Sequence, residues 1–435
     1  MAGSAPAAAT ATTSSDAGTK TNYLAPLAVL TTLFFMWGFL TCLNDIIIPH
    51  LKGVFELNYA QAMMVQFAFF TAYFVVSLPS GALVKRVGYK TGIIIGLLIA
   101  AGGCLSFYPA AGQRSYAMFL GALFVLASGI TLLQVAANPF VAVLGKPETA
   151  SSRLTLTQAF NSLGTTIAPY LGSIFILGTP VKTQAELSNM PALSVAVYKL
   201  HEAASVQKPY LGLTAALVVL AVAIAAFKLP KISGSDDLTA AGSDSAHKSA
   251  WGYRHLVLGA VAIFVYVGGE VAIGSFLVNY FKEPNIGGLA ETAGAKLVTF
   301  YWLGAMIGRF IGTFTLRMWK PGKVLGVHAV GAIALIALSM ATSGSTAMYA
   351  IIAVGLFNSI MFPTIFTLAI DGLGKHTSQG SGILCMAIVG GALIPVLQGF
   401  VADAIGIHHC FIVALLCYIY IAWYGTKGST PVAAR

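Results

Sequence analysis

Charged residues are scarce in this sequence. Asp, Glu, Lys and Arg make up only 9% of its 435 residues, whereas 57% are hydrophobic and the mean hydropathy is +0.83. A soluble domain carries about 25% charged residues, and a soluble chain of this length could not hide so much apolar surface. The composition therefore excludes a soluble protein and predicts an integral membrane protein surrounded by the lipid bilayer.

Acidic residues are the scarcer charge. The 14 Asp and Glu stand against 24 Lys and Arg, which gives a net charge of +10. A basic balance can indicate nucleic-acid binding, but here the basic residues are sorted by predicted membrane side. With the N-terminus inside, sixteen fall on the inner side, seven on the outer side and Arg309 within a span. This positive-inside asymmetry predicts two cytoplasmic termini and no nucleic-acid partner.

The chain also lacks the motifs of several function classes. The five cysteines form no CxxC or Cys/His ligand pattern, and there is no Walker loop, HExxH motif or nucleophile elbow. We therefore expect buried thiols, no metal site, no cofactor and no enzymatic activity. Residues 1–22 are small and polar, without the apolar core of a secretory signal peptide.

Twelve apolar runs have the length of a membrane span, which needs about 20 mostly apolar residues. They cover residues 24–49, 59–84, 91–110, 115–142, 155–178, 209–228, 253–281, 292–316, 323–342, 346–371, 378–403 and 406–425. We expect an all-α membrane protein with five parts along the chain. These are a disordered cytoplasmic N-terminus (1–22), an N-terminal six-helix bundle (23–228), a cytoplasmic linker (229–252), a C-terminal six-helix bundle (253–426) and a cytoplasmic tail (427–435).

The two halves of the chain repeat each other. Gly164 to Pro169 in the fifth run matches Gly390 to Pro395 in the eleventh, with the same spacing. Asn138-Pro139-Phe140 lies in the fourth run where Phe362-Pro363-Thr364 lies in the tenth. Together the matches predict two six-helix pseudo-repeats, the organisation of transporters that move around a central site.

Several blocks resemble known families. The loop Gly81–Lys90 resembles the loop between the second and third helices of the major facilitator superfamily. Its gate and topology residues here are Gly81, Lys85, Arg86, Gly88 and Lys90. Four further blocks are similar to the fucose:proton symporter family of sugar transporters, over the chain from about Tyr23 to its end. They are Leu43–Ile46, Ala136–Val141, Gln158–Gly164 and Phe362–Phe366.

The resemblance implies the twelve-helix major facilitator fold and uptake of a hexose or deoxyhexose together with a cation, by alternating access. It also implies that Asp45, on the first helix, is the coupling residue. The fucose branch carries a Glu on the fourth helix where this chain has Gln134. That departure, together with Glu270, places the chain closer to the glucose/galactose and N-acetylglucosamine branches. Fucose:proton symport stays as an alternative.

Asp45 is costly where it lies, inside an apolar run that begins at Tyr23. An Asp at the centre of a membrane helix costs roughly 2.5–3.5 kcal/mol on insertion scales, so such acids usually face a protein interior or an aqueous cavity. A structural reading makes it a carboxylate that pairs two helices. The functional reading makes Asp45 and Gln134 the ion-coupling pair. The ion is a proton, or sodium held by Asp45 and nearby amide oxygens.

A sugar site needs amides, which donate and accept hydrogen bonds at once, and an aromatic face. One amide alone could equally be an interhelical hydrogen bond, worth about 0.6–2 kcal/mol. The number of amides on several spans favours a lined cavity. The candidate sugar-binding residues are Trp37, Asn44, Gln134, Asn138, Gln158, Asn161, Tyr266, Glu270, Asn279, Asn358 and Gln398.

Two charged residues in the second half complete the prediction. Glu270 follows two glycines, and we expect it to face the cavity, where it binds sugar hydroxyls or takes part in coupling. For Arg309 we expect a structural role, and a salt bridge between the two is the alternative for Glu270. The predicted protein is a monomeric sugar symporter of the bacterial inner membrane. An exporter on the same fold, a uniporter and a membrane-bound enzyme or sensor are the rivals.

Overall fold

The structure is a computed structural model. It describes residues 23–55, 59–113, 115–175, 189–191, 193–195, 197–198, 207–230 and 248–431, with the backbone alone at 40–41, 43–55, 59–66, 169–175 and 291–292. The predicted disordered N-terminus (1–22) lies outside the described residues. So do most of the predicted linker and the last four residues of the tail.

The main helices follow the predicted apolar runs. In chain order they are α1 Leu24–Phe55, α2 Tyr59–Val87, α3 Tyr89–Gly112, α4 Tyr116–Val143, α5 Ala150–Phe175, α6 Gln207–Ala226, α7 Arg254–Lys282, α8 Glu291–Met318, α9 Pro321–Ala341, α10 Gly344–Asn358, α11 Met361–Ile370, α12 Thr377–Met386, α13 Gly390–Ile405 and α14 Ile412–Trp423. Each of the twelve runs contains a helix, and the predicted all-α fold is confirmed.

The second half departs from one helix per run. The tenth run is divided into α10 and α11, and the eleventh into α12 and α13 around a 3-10 turn, Ala387–Val389. The twelfth helix begins at Ile412, later than predicted, and continues as a π-helical turn, Tyr424–Gly428. Within the described residues, nine helices are long and apolar enough to cross a membrane, and two shorter apolar helices accompany them.

Helices are favoured in these runs because a spanning segment must satisfy its own backbone hydrogen bonds in lipid. They end where that pattern is interrupted. Gly88, between α2 and α3, has φ +81°, a conformation that a residue without Cβ adopts readily. Ser115 begins α4 by accepting a hydrogen bond from the Met118 N–H at 3.4 Å. Pro321 begins α9, where its missing N–H costs nothing.

Two prolines inside helices free a backbone carbonyl in each half. Proline has no N–H, so the carbonyl four residues earlier loses its intrahelical partner. Pro139 in this way frees the Val135 carbonyl, which accepts a hydrogen bond from Ser381 Oγ at 2.9 Å. Pro363 frees the Ser359 carbonyl, which accepts from Arg309 Nε at 3.2 Å. The proline motifs matched between the repeats therefore do the same thing in each half.

The two halves meet at one end of the molecule, called here the basic end because Lys85, Arg86, Lys90 and Lys375 surround a pocket there. Helix α12 lies against α2 and α4, and α8 lies against α5. Hydroxyl groups join the halves through three contacts: Ser151 Oγ to Thr367 Oγ1 (2.6 Å), Ser152 Oγ to the Thr313 carbonyl (2.6 Å), and Ser381 Oγ to the Val135 carbonyl.

Two glycines let the backbones of α2 and α12 approach closely. A Cβ added at Gly81 would lie 2.8 Å from the Ser378 carbonyl oxygen, and one at Gly382 would lie 2.8 Å from the Ser77 carbonyl oxygen. Neither backbone atom can turn away as a side-chain tip could. Closure of the basic end therefore depends on the absence of a side chain at these two positions.

Gly81→Val should weaken this closure. The added side chain overpacks the α2–α12 contact, which typically costs about 1–3 kcal/mol and shifts a two-state equilibrium about tenfold. The measurement is the rate at which a soluble maleimide labels a cysteine introduced by Ser378→Cys, in purified protein. We expect faster labelling with Gly81→Val. Gly102→Val is the matched control, since a Cβ at Gly102 meets nothing within 4 Å, and an equal rate in both variants would contradict the role of Gly81.

Candidate functional site

A polar cavity of about 210 Å³ lies between the two halves. One water needs about 10–15 Å³ by the same kind of measure, so the cavity admits a polar molecule much larger than water. Seven of its lining residues are predicted ones: Trp37, Gln134, Gln158, Asn161, Tyr266, Glu270 and Arg309. The others are Tyr73, Val267, Phe362 and Ile388.

Gln134 on α4 is held in place by a neighbour that the sequence did not reveal. Its Nε2 donates to the Tyr73 hydroxyl on α2 at 2.7 Å, and both side chains are buried. Its Oε1 is buried and, among the described residues, has no hydrogen-bond partner. The pair thus presents to the cavity an amide that is fixed on one side and still able to accept a hydrogen bond.

Helix α5 contributes Gln158 and Asn161, which share a face at a spacing of three. Asn161 Nδ2 donates to the Phe34 carbonyl of α1 at 2.9 Å, which ties α5 to α1. Trp37 follows Phe34 by three residues on α1, and their rings lie 5.2 Å apart at 48°. An indole and two amides therefore line the first-half wall of the cavity.

Helix α7 contributes Tyr266 and Glu270, one turn apart. The Tyr266 hydroxyl donates to the Asn358 backbone carbonyl at 3.1 Å, and the Tyr301 hydroxyl donates to the Glu270 carbonyl at 3.2 Å. Asn358 is fully paired: its Nδ2 donates to Tyr301 at 2.7 Å and its Oδ1 accepts from Tyr418 at 2.6 Å. This network of tyrosines behind the cavity fixes the orientation of α7.

Arg309 on α8 bridges the two halves. Its Nε donates to the Ser359 carbonyl freed by Pro363, and its terminal nitrogen donates to Ser162 Oγ on α5. Glu270 is the one acid and Arg309 the one base among the described residues that line this cavity. Their opposite charges attract across it, but these two described side chains make no direct ion pair. Glu270 Oε1 is buried without a hydrogen-bond partner among the described residues.

Other predicted residues lie elsewhere. Asn358 and Gln398 make interhelical hydrogen bonds outside the cavity lining, and Gln398 Nε2 donates to the Ala272 carbonyl at 3.1 Å. Asn279 is exposed on α7. The backbone of Asn44 and Asp45 lies in α1, but their side chains, and with them the predicted sodium position, lie outside the described residues.

Asn138 also lies outside the cavity lining. It is fully buried on α4, and neither of its side-chain polar atoms has a partner among the described residues. Tyr73, Val267, Phe362 and Ile388 were missed as lining residues. Phe362 carried a signal, since it belongs to the proline motif matched between the halves, whereas nothing in sequence distinguishes Tyr73 from the other aromatic residues of its span.

The predicted gate and topology loop lies at the basic end. Gly81 contacts α12, Lys85 and Arg86 are exposed in the last turn of α2, and Gly88 makes the turn into α3. Lys90 Nζ donates to the Ala225 carbonyl at the end of α6 at 2.7 Å. The loop thus joins three helices of the first half beside the seam between the halves.

Twelve predicted spans, a central cavity lined from both halves and a seam at one end are now established. The major facilitator superfamily model matches residues 28–388. The chain belongs to the major facilitator superfamily. Its twelve membrane helices therefore form the two six-helix pseudo-repeats that the sequence predicted.

Individual relatives match over nearly the whole chain. A glucose/galactose transporter of Brucella abortus is 57% identical over 95% of this chain and 96% of its own. The L-fucose-proton symporter of Escherichia coli is 38% identical over 93% of both chains. The crystal structure of the transporter FucP in the outward conformation superposes with a TM-score of 0.86 at 35% identity, over 94% of this chain and 100% of that chain.

Arg309→Gln should destabilise the protein, because it removes both bridging hydrogen bonds and leaves the Glu270 charge without its cation. Loss of hydrogen bonds from a charged group costs about 1.5–3 kcal/mol each at most sites. Adding Glu270→Gln should restore part of the loss, which a double-mutant cycle on the thermal midpoint Tm measures. Arg254→Gln, at an exposed arginine, is the matched control and should change Tm little. Strict additivity of the two cavity substitutions would show that their charges do not interact.

Proposed function

We propose that this protein is a secondary active transporter that imports a hexose together with a cation. The observation that carries the proposal is the cavity between the halves. Amides, an indole, two tyrosines, one carboxylate and one guanidinium converge there from helices of both repeats. Neutral polar groups that donate and accept suit a polyhydroxy ligand, whereas an exporter of apolar compounds would need more apolar walls.

Glucose or galactose is the proposed substrate. The support is the Brucella abortus glucose/galactose transporter, at 57% identity over almost the full length. Gln134 offers a neutral amide to the sugar, with Oε1 still able to accept a hydrogen bond. Fucose is the alternative supported by the Escherichia coli relative, and N-acetylglucosamine a further one.

Alternating access follows from the way the halves are joined. At the basic end they meet through hydroxyl hydrogen bonds and the two glycine contacts. When these break and the halves rotate, the cavity opens toward the basic end. Arg309 reaches Ser162 and the Ser359 carbonyl from the cavity itself, so it senses both the ligand and the relative position of the halves.

Coupling is assigned to Asp45 with Gln134, and the proposed ion is a proton. An ionisable residue inside a membrane span is expensive and usually functional. The proton-coupled relative at 38% identity supports the choice of ion. Sodium, held by Asp45 and amide oxygens, is the competing ion that the experiment below tests separately.

The proposed setting is the bacterial inner membrane, with a monomer whose termini are both cytoplasmic. The support is the excess of Lys and Arg on the predicted inner side, sixteen against seven. The basic end then faces the cytoplasm. The proposed domains are the bundles 23–228 and 253–426, joined by a cytoplasmic linker, 229–252.

The experiment is uptake of labelled glucose, galactose, fucose and N-acetylglucosamine into proteoliposomes, with proton and sodium gradients imposed one at a time. We expect accumulation of glucose and galactose, driven by an inward proton gradient. Accumulation driven only by sodium would replace the ion. Equilibration without accumulation would indicate a uniporter, and no movement of any of these sugars would overturn the proposal.

Asp45→Asn should abolish accumulation and leave exchange of sugar across the membrane, because the neutral amide carries no ion but keeps the size of the side chain. Uptake against a gradient should fall to equilibration, as measured in the same proteoliposomes. Asp403→Asn removes an exposed carboxylate and is the matched control that should retain accumulation. Full ion-driven accumulation by Asp45→Asn would remove Asp45 from coupling.

Glu270→Gln should weaken sugar binding by about tenfold, since a charged acceptor makes hydrogen bonds roughly twice as strong as a neutral one. The measurement is glucose affinity by isothermal titration of purified protein. Glu283→Gln, beyond the end of α7, is the control and should bind as the unsubstituted protein does. An unchanged affinity in Glu270→Gln would assign Glu270 a structural role.

A further inference from the structure

Asn138 is a buried amide without a use in the described state. Its exposed fraction is 0%, and neither Nδ2 nor Oδ1 has a hydrogen-bond partner among the described residues. Ser77 on α2 is in the same position: it is fully buried and its Oγ has no partner in that set. Buried polar side chains are almost always paired, so each exception calls for an explanation.

The two residues lie at the same depth, between the cavity and the basic end. On α4, Asn138 follows Gln134 by one turn, and Phe140 beyond it stacks on Tyr89 of the basic-end pocket at 5.8 Å. One turn is about 6 Å of rise. On α2, Ser77 follows Tyr73 by one turn.

Because Tyr73 and Gln134 are hydrogen-bonded, the next turns of α2 and α4 are level with each other. On each helix, residues four apart share one face. Asn138 and Ser77 therefore continue, toward the basic end, the faces that line the cavity.

Helix α12 of the other half covers this level. Ser381 Oγ donates to the Val135 carbonyl, one residue after Gln134. A Cβ at Gly382 would lie 2.8 Å from the Ser77 carbonyl oxygen, so the α12 backbone lies directly over Ser77. The same α12 contacts close the basic end. When they break, Asn138 and Ser77 become part of the wall of the opening path.

We propose that Asn138 and Ser77 form a second sugar-binding station, assembled when α12 withdraws and used as the sugar leaves the cavity toward the basic end. Asn138 supplies two donors and an acceptor and Ser77 a hydroxyl, a set that fits neighbouring hydroxyls of a polyhydroxy ligand. The station rests on the proposed sugar transport. It differs from the cavity because it acts from one membrane side only.

The test compares Asn138→Leu with two other α4 variants, Gln134→Leu and Thr131→Val, in proteoliposomes of one orientation. Thr131 is the matched control, since it is buried and its hydroxyl is paired within its own helix, to the Ala127 carbonyl at 2.8 Å. The readout is the half-saturation concentration of glucose exchange, measured separately for sugar added at the basic end and at the opposite end.

For Asn138→Leu we expect the half-saturation concentration to rise about fivefold at the basic end, the loss of one or two hydrogen bonds, and to stay unchanged at the opposite end. Gln134→Leu should raise both values and Thr131→Val neither. Tm of Asn138→Leu should not fall, because an unpaired buried amide is replaced by an apolar group of similar size. Ser77→Ala should show the same sidedness more weakly.

Three outcomes would overturn the station. Equal changes at both ends would make Asn138 part of the central site. No change at either end, or a lower Tm that accounts for a general loss of exchange, would leave it only a structural or water-binding role. If the unsubstituted protein exchanges none of the tested sugars, the proposed function itself fails. That result is distinguishable because it appears before any substitution is compared.

Discussion

The structure depends on how two backbone carbonyls are satisfied where no water is available. Proline inside a membrane helix leaves such a carbonyl unpaired, at a cost of several kcal/mol in lipid. Each repeat carries one: Pro139 frees Val135 and Pro363 frees Ser359. Their partners come from elsewhere in the fold, Ser381 on α12 and Arg309 on α8. Satisfying the backbone therefore joins α12 to the opposite half and sets a cation beside the cavity.

From this constraint the two ends of the working region follow. Arg309 is held by a carbonyl of its own half and reaches Ser162 of the other, so the cavity contains a positive charge opposite Glu270. Ser381 holds α12 across α4 only one residue beyond Gln134. The bond that closes the basic end thus lies immediately beneath the residues that line the cavity, which allows events in the cavity and closure of the path to influence each other.

Sequence predicted the elements better than it predicted the partners. Apolar runs locate every helix, since hydropathy and length are local properties. Gln134, Gln158, Asn161 and Glu270 line the cavity as expected because polar groups in apolar runs rarely face lipid. The same logic could not separate them from Asn358 and Gln398, since an amide that bonds another helix looks identical in sequence to one that awaits a ligand. Tyr73 gave no signal because its partner is distant in sequence.

The seam at the basic end is built from weak contacts, and that suits a path that must open repeatedly. Within the described residues, its bonds are neutral hydroxyl hydrogen bonds, each worth about 0.5–1.5 kcal/mol net, beside glycine contacts that bury little side chain. Buried ion pairs would hold more firmly, since removing one partner typically costs about 3–5 kcal/mol. Weak closure over a row of unpaired polar atoms keeps the closed and open states close in free energy, so a bound sugar and an ion can shift the balance between them.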